Sequence, residues 1–178
     1  IVAFGFFTIN IGVMLLHTVP YVVDSGFTLS DAGWVVFTVS VPAMLSKPVW
    51  GYFIDRSPAK PLAAISAAVT GLALFLIVLA VSYQELVWVL LAFVVLGFGW
   101  GGMIPLQEVI WASFFGRRFL GSIRGAAMPF SLLLGAPAPA LVGYYHDTFG
   151  RYDEALLIVA SLNVLSGLLI FLAPAPRR

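Results

Sequence analysis

Cysteine is absent from this chain, which excludes disulfides and thiolate metal sites. Charge is scarce: Asp, Glu, Lys and Arg make up 10% of the residues, and histidine occurs twice. No histidine cluster, no paired intramembrane carboxylates and no nucleophile with an adjacent base can be picked out. The chain therefore reads as no enzyme, and it calls for no cofactor and no metal. The few bases fall in short loops, so nothing supports nucleic-acid binding. A net charge of +1 names no partner by itself.

Apolar surface is what the chain has in excess: 61% of its 178 residues are hydrophobic and the mean hydropathy is +1.04. A water-soluble core of this size cannot hide so much. A helix needs about 20 apolar residues to cross the hydrocarbon layer, and six runs reach or approach that length. They are Ile1 to Val23, Ala32 to Ile54, Leu62 to Val81, Leu86 to Trp111, Gly125 to Tyr145 and Ala155 to Ala173. The runs are continuously apolar rather than alternating, which favours helices over barrel strands. The first run is too long for a signal peptide and has no basic leader or cleavage site. The expected fold is an all-α integral membrane protein, residues 1–178 forming one six-helix bundle in a lipid bilayer.

The charges sort themselves once the connections alternate between two faces. Arg56, Lys60, Arg117, Arg118, Arg124, Arg177 and Arg178 fall on one face, and Arg151 alone among the Arg and Lys loop residues falls on the other. Asp24, Asp31, Glu85, Asp147, Asp153 and Glu154 lie with Arg151. Short cytoplasmic loops retain Lys and Arg, so the basic face is expected to be cytoplasmic, with both chain ends on that side of the inner membrane.

Three charged groups stand apart from obvious loops: Asp55 at a helix end, and Lys47 and Glu108 within spans. Such residues usually face a bundle interior or a wet cavity. Lys47 lies seven residues before Ile54, about 10 Å inside the end of its span. It can snorkel to the interface or serve as a functional cation. Pro48 beside it frees a carbonyl near Met44 and predicts a kink. Glu108 reads either as an interfacial carboxylate paired with Arg117 or Arg118, or as a proton-carrying acid.

Asn10 and His17 are seven residues apart and share a face of the first span, with Tyr21 one turn further. They make interhelical hydrogen bonds or line a route from the acidic face. Ser66 with Thr70, and Ser161 with Asn163, read as helix-packing contacts. Gly97, Gly99, Gly101, Gly102 and Pro105 make the fourth span soft and allow neighbours to approach closely. They form no phosphate loop, because no strand precedes them.

Glycine, tyrosine, two free positions and aspartate occur twice, at Gly51 to Asp55 and at Gly143 to Asp147. One copy ends the second span and the other the fifth, on opposite faces. That opposition is what two inverted three-helix repeats, residues 1–81 and 86–173, require.

Gly51, Asp55 and Arg56, with Lys60 after them, resemble the loop signature between the second and third helices of a half of a major facilitator superfamily transporter. The likeness covers all six spans and places the chain as the C-terminal half. Ser57 Pro58 departs from the pattern, standing where glycine is common. His17 to Tyr21 leading to Gly26, Lys47 Pro48 before Gly51, Phe115 to Arg118 with Gly121 to Gly125, and Asp147 to Tyr152 look like bacterial relatives of the monocarboxylate and oxalate porters. In that branch a cation before proline in the corresponding helix accompanies carboxylate substrates. The resemblance implies secondary transport of an organic anion, by symport or antiport, through alternating access. Lys47 would meet the anion, with Asn10 and His17 along the route, and Glu108 is the candidate for proton coupling. Gly51, Asp55, Arg56 and Lys60 would form the gating motif. Asp55 would act as a latch, pairing with an arginine or with a helix N-terminus, and Gly51 would admit the neighbour. Twelve spans are usual in that superfamily, so the chain is expected to be an incomplete segment needing an N-terminal six-helix half, or a half-size transporter pairing with a second copy. The rival is a non-transporting scaffold or solute sensor on the same bundle.

Overall fold

The computed structural model describes residues 1–116, 118 and 120–174; Arg117, Arg177 and Arg178 lie outside the described residues. Among the described residues the regular structure is helical: α1 Val2–Asp24, α2 Leu29–Ile54, α3 Ala59–Ser82, α4 Leu86–Phe115, α5 Leu120–Gly135, α6 Pro137–Phe149 and α7 Asp153–Leu172. α5 and α6 together make one span, so six spans are long and apolar enough to cross a membrane. Leucines, phenylalanines and tryptophans stand exposed along the outer faces, as a lipid solvent permits.

Several boundaries lie up to five residues beyond the sequence expectation, and two of them are instructive. α4 runs past Trp111 to Phe115, where Gly116 takes a positive φ of 82° and ends it. The fifth span starts at Leu120 rather than Gly125 and breaks at Ala136. Pro137 and Pro139 lack N–H groups and strip the helical partners from the carbonyls of Leu133 and Gly135. Two losses so close together interrupt the helix. Single prolines do not: α2 continues through Pro42 and Pro48 without a break, and α4 through Pro105.

The turns at the acidic end are locally specified. Thr28 and Asp31 form a reciprocal capping box at the start of α2, Asp31 N donating to Thr28 Oγ1 (3.1 Å) and Thr28 N to Asp31 Oδ2 (2.9 Å). Between α3 and α4, Gln84 holds a φ of 55°, and its side-chain amide donates to the carbonyls of Val81 (2.8 Å) and Ser25 (3.1 Å).

Helix packing follows an exchange of the first three spans with the last three. α2 packs on α4 and α5 on α1; α3 packs on α4 and α7 on α1; α3 and α7 cross each other. At that crossing a Cβ added to Gly71 would meet Ala160 O at 2.9 Å, and one added to Gly167 would meet Ala64 O at 2.8 Å. Serines repeat the relation: Ser66 Oγ of α3 donates to Gly99 O of α4, and Ser166 Oγ of α7 donates to Ala3 O of α1, both at 2.7 Å. Thr70, Ser161 and Asn163 bond back to Ser66 O, Leu157 O and Val159 O of their own helices, and Thr70 and Asn163 are fully buried.

Candidate functional site

α2 and α4 approach closely, and the side of that pair carrying the exposed Lys47 is the open face. Gly97 and Gly101, one turn apart, leave no room for a side chain against Val39, Ala43 and Ser46. α2 and α4 run in the same direction, so at about 100° per residue Lys47, just after Ser46, and Trp100, just before Gly101, project to the same side of the pair. Lys47 is exposed, and among the described residues no carboxylate reaches its ammonium. Trp100 Nε1 donates to Asn10 Oδ1 (2.8 Å), joining α4 to α1. Asn10 is completely buried and its amide Nδ2 has no partner, so it acts behind Trp100 rather than at the open face. Sequence reading passed over Trp100 because a tryptophan in an apolar run carries no distinguishing signal.

At the basic end, Gly51, Asp55, Arg56 and Lys60, expected to form a gate, do not converge on one another. Asp55 caps α2 through its backbone, and among the described residues no donor reaches its exposed carboxylate. A Cβ at Gly51 would meet nothing within 4 Å, so no helix of this chain uses the space that glycine provides. Arg56 folds back on α2, its guanidinium 3.8 Å from the Tyr52 ring centroid and donating to Tyr52 O at 3.2 Å. Lys60 Nζ donates to Ala173 O, tying the start of α3 to the end of α7. Glu108 pairs with Arg124 of α5 at 2.9 Å, a partner that the sequence reading did not name: Glu108 sits two turns inside α4, level with the first turns of α5.

An aromatic and acidic cluster joins α1, α6 and α7 at the acidic end. Tyr152, between α6 and α7, is buried and touches both histidines: the His146 ring stacks on it at 4.1 Å and 10°, and the His17 ring lies 5.5 Å away. His17 Nε2 also reaches Pro139 O (2.9 Å), joining α1 to α6. Tyr21 meets Tyr152 edge to face and donates to Asp153 Oδ1 (3.1 Å). His146 Nε2 lies 3.1 Å from Asp24 Oδ2. Burial, then the carboxylates of Asp24 and Asp147, push the Tyr152 phenol above its usual range and keep it neutral. Among the described residues no group of acids and histidines could hold a metal ion.

Human monocarboxylate transporter 11 is 28% identical over 163 residues, covering 88% of this chain and 34% of that protein. Zebrafish monocarboxylate transporter 12-B is 24% identical over 160 residues, covering 88% and 33%. The chain thus spans about a third of the length of the curated relatives it matches. The model of the Major Facilitator Superfamily matches residues 1–178. With six membrane-length spans among its described residues, the chain belongs to the major facilitator superfamily.

Proposed function

We propose that this chain is one six-helix half of a secondary transporter that carries a small organic carboxylate by alternating access. The observation that carries this reading is Lys47: a cation on the open face with no carboxylate partner among the described residues, one residue beyond the tightest crossing of α2 and α4. A cation held in apolar surroundings without a carboxylate of its own is a site for a carboxylate from elsewhere. Trp100, its indole N–H occupied by Asn10, supplies an apolar wall on the same side for the rest of the molecule. Both relatives described above carry monocarboxylate transport in their names, which supports the same substrate class.

The basic end faces the cytoplasm in this reading, following the retention of Lys and Arg on that side. Residues 1–81 and 86–173 are its two inverted three-helix units, and a second six-helix half or a second copy covers the open face. Asp55 and Gly51, unused within the chain, are then the latch and the clearance for that other half. Glu108 couples to protons only when Arg124 is released from it.

The test is counterflow of candidate carboxylates in proteoliposomes holding the full-length protein, with and without a proton gradient. Lys47→Gln is expected to weaken anion binding at least about tenfold, near 1.4 kcal/mol; wild-type affinity in that variant removes Lys47 from the site. Asp55→Asn should insert normally and slow uptake, and unchanged kinetics would count against the latch.

A further inference from the structure

Two amides in the middle of the bundle have opposite needs. Asn10 of α1 and Asn163 of α7 are both completely buried. Asn10 Oδ1 accepts from the Trp100 indole at 2.8 Å, and because an indole N–H only donates, the orientation of the Asn10 amide is fixed. Its Nδ2 is left with two N–H bonds and no partner among the described residues. Asn163 is the converse: Nδ2 donates to Val159 O at 3.0 Å, which fixes that amide and leaves Oδ1 without a donor. Inside a bilayer neither group can turn to bulk water, and leaving it unmet is costly.

Helix geometry brings the two needs together. α1 and α7 run in opposite directions, joined by Tyr21 to Asp153 near one end and by Ser166 to Ala3 O near the other. Asn10 stands eleven residues from Tyr21 and Asn163 ten from Asp153, about 16.5 Å and about 15 Å along the two axes, so they are level. Asn10 shares a face of α1 with Ala3, whose carbonyl meets α7. Asn163 lies about 60° round α7 from Ser166, which meets α1, and about 60° the other way from Ala160, which meets α3 at Gly71. Both amides therefore face the interior between α1, α3 and α7. Thr70 of α3, also fully buried, is at the same level: Gly71 beside it meets Ala160 O and Val164 N, on either side of Asn163 in sequence. On its other side Thr70 Oγ1 stands where a Cβ at Gly99 would strike it, next to Trp100. Its proton goes to Ser66 O at 2.8 Å, and it keeps a lone pair to accept with.

We propose that one water molecule binds at the centre of the bundle, accepting from Asn10 Nδ2 and donating to Asn163 Oδ1 and Thr70 Oγ1. Three partners are the usual number for a buried water. The water ties α1 to α3 and α7 behind the open face, and through Asn10 it holds the Trp100 indole. Asn163, which is buried away from that face, is thus a positioning residue for Trp100. The water site does not depend on the transport reading; only the value of a held Trp100 to a solute rests on it.

The test uses the full-length protein in lipid bilayers, with asparagine and tryptophan labelled with ¹⁵N. Magic-angle-spinning NMR should show magnetisation passing from water protons to the Asn10 side-chain amide, assigned through its own backbone signals. Asn163→Thr and Asn163→Val have the same shape, but only threonine brings a hydroxyl that bonds back to Val159 O, as Thr70 does to Ser66 O, and still accepts from the water. Asn163→Val should lose the transfer to Asn10 and move the Trp100 indole N–H signal upfield, while Asn163→Thr keeps both. No transfer to Asn10 in the unsubstituted protein, or two variants that behave alike, would overturn the proposal. The unsubstituted measurement decides even if a variant fails to fold. In carboxylate counterflow, Asn163→Val should raise KM about threefold with kcat unchanged. An unchanged KM alongside a lost water transfer would leave the water site standing and remove Trp100 from the wall that meets the solute.

Discussion

The crossing of α2 with α4 and the crossing of α5 with α1 occupy exchanged positions in the fold, yet they close on different atoms. On α4, a Cβ at Gly97 would strike the backbone of α2, with Val39 C at 3.0 Å and Ala43 N at 3.2 Å. On α1, a Cβ at Gly5 would meet the side chain of Leu134 of α5, the nearest atom being Cδ1 at 2.6 Å; on α5, one at Gly135 would meet Thr8 Cγ2, also at 2.6 Å. Backbone cannot yield without moving a helix, whereas a leucine terminus can change rotamer. The first crossing is a fixed joint and the second an adjustable one. The hydrogen-bond interruption at Ala136 lies in the adjustable partner, although Ala136 itself keeps helical backbone angles (φ −64°, ψ −38°).

Substitutions sharpen or break that contrast. Gly97→Ala should cost the most, about 3 kcal/mol, and Gly5→Ala about 1 kcal/mol, read as loss of thermal stability and monodispersity in detergent. Equal losses would mean that the two crossings are alike after all. Tyr21→Phe removes a hydrogen bond that ties α1 to α7 beside the looser crossing; thermal unfolding should register about 1 kcal/mol. Arg124→Gln breaks the tie from α5 to Glu108, but the pair is half exposed, and a loss within about 1 kcal/mol is expected. A larger loss would show that α5 depends on this ion pair rather than on packing.

Span number and helical character were legible in the sequence because apolar length alone decides them. Glycines 97 to 102 were legible as a close-approach surface for a related reason: in lipid, small residues are what lets backbones touch. The break at Ala136 had its signal in Pro137 and Pro139, but continuous hydropathy masked it. Arg124 as the partner of Glu108 was not legible, since nearness along the chain points to the loop and only the packing of α5 on α4 brings the other arginine into reach. Neither was the gathering of both histidines on Tyr152, because His17 and His146 are brought together by the return of α6 beside α1. Lys47 was found by its charge within a span and by Pro48 beside it. Its open surroundings and its alignment with Trp100 needed the crossing geometry.

Ile1 and Ala173 line one cavity with Lys60, so the first helix starts, and the last one finishes, at the same end of the bundle. Parity explains the consequence. A unit of three spans leaves the bilayer on the side opposite its entry, so copying it in tandem must turn the copy upside down. A unit of six returns to its starting side, and a further copy can follow through a plain connector with its orientation unchanged.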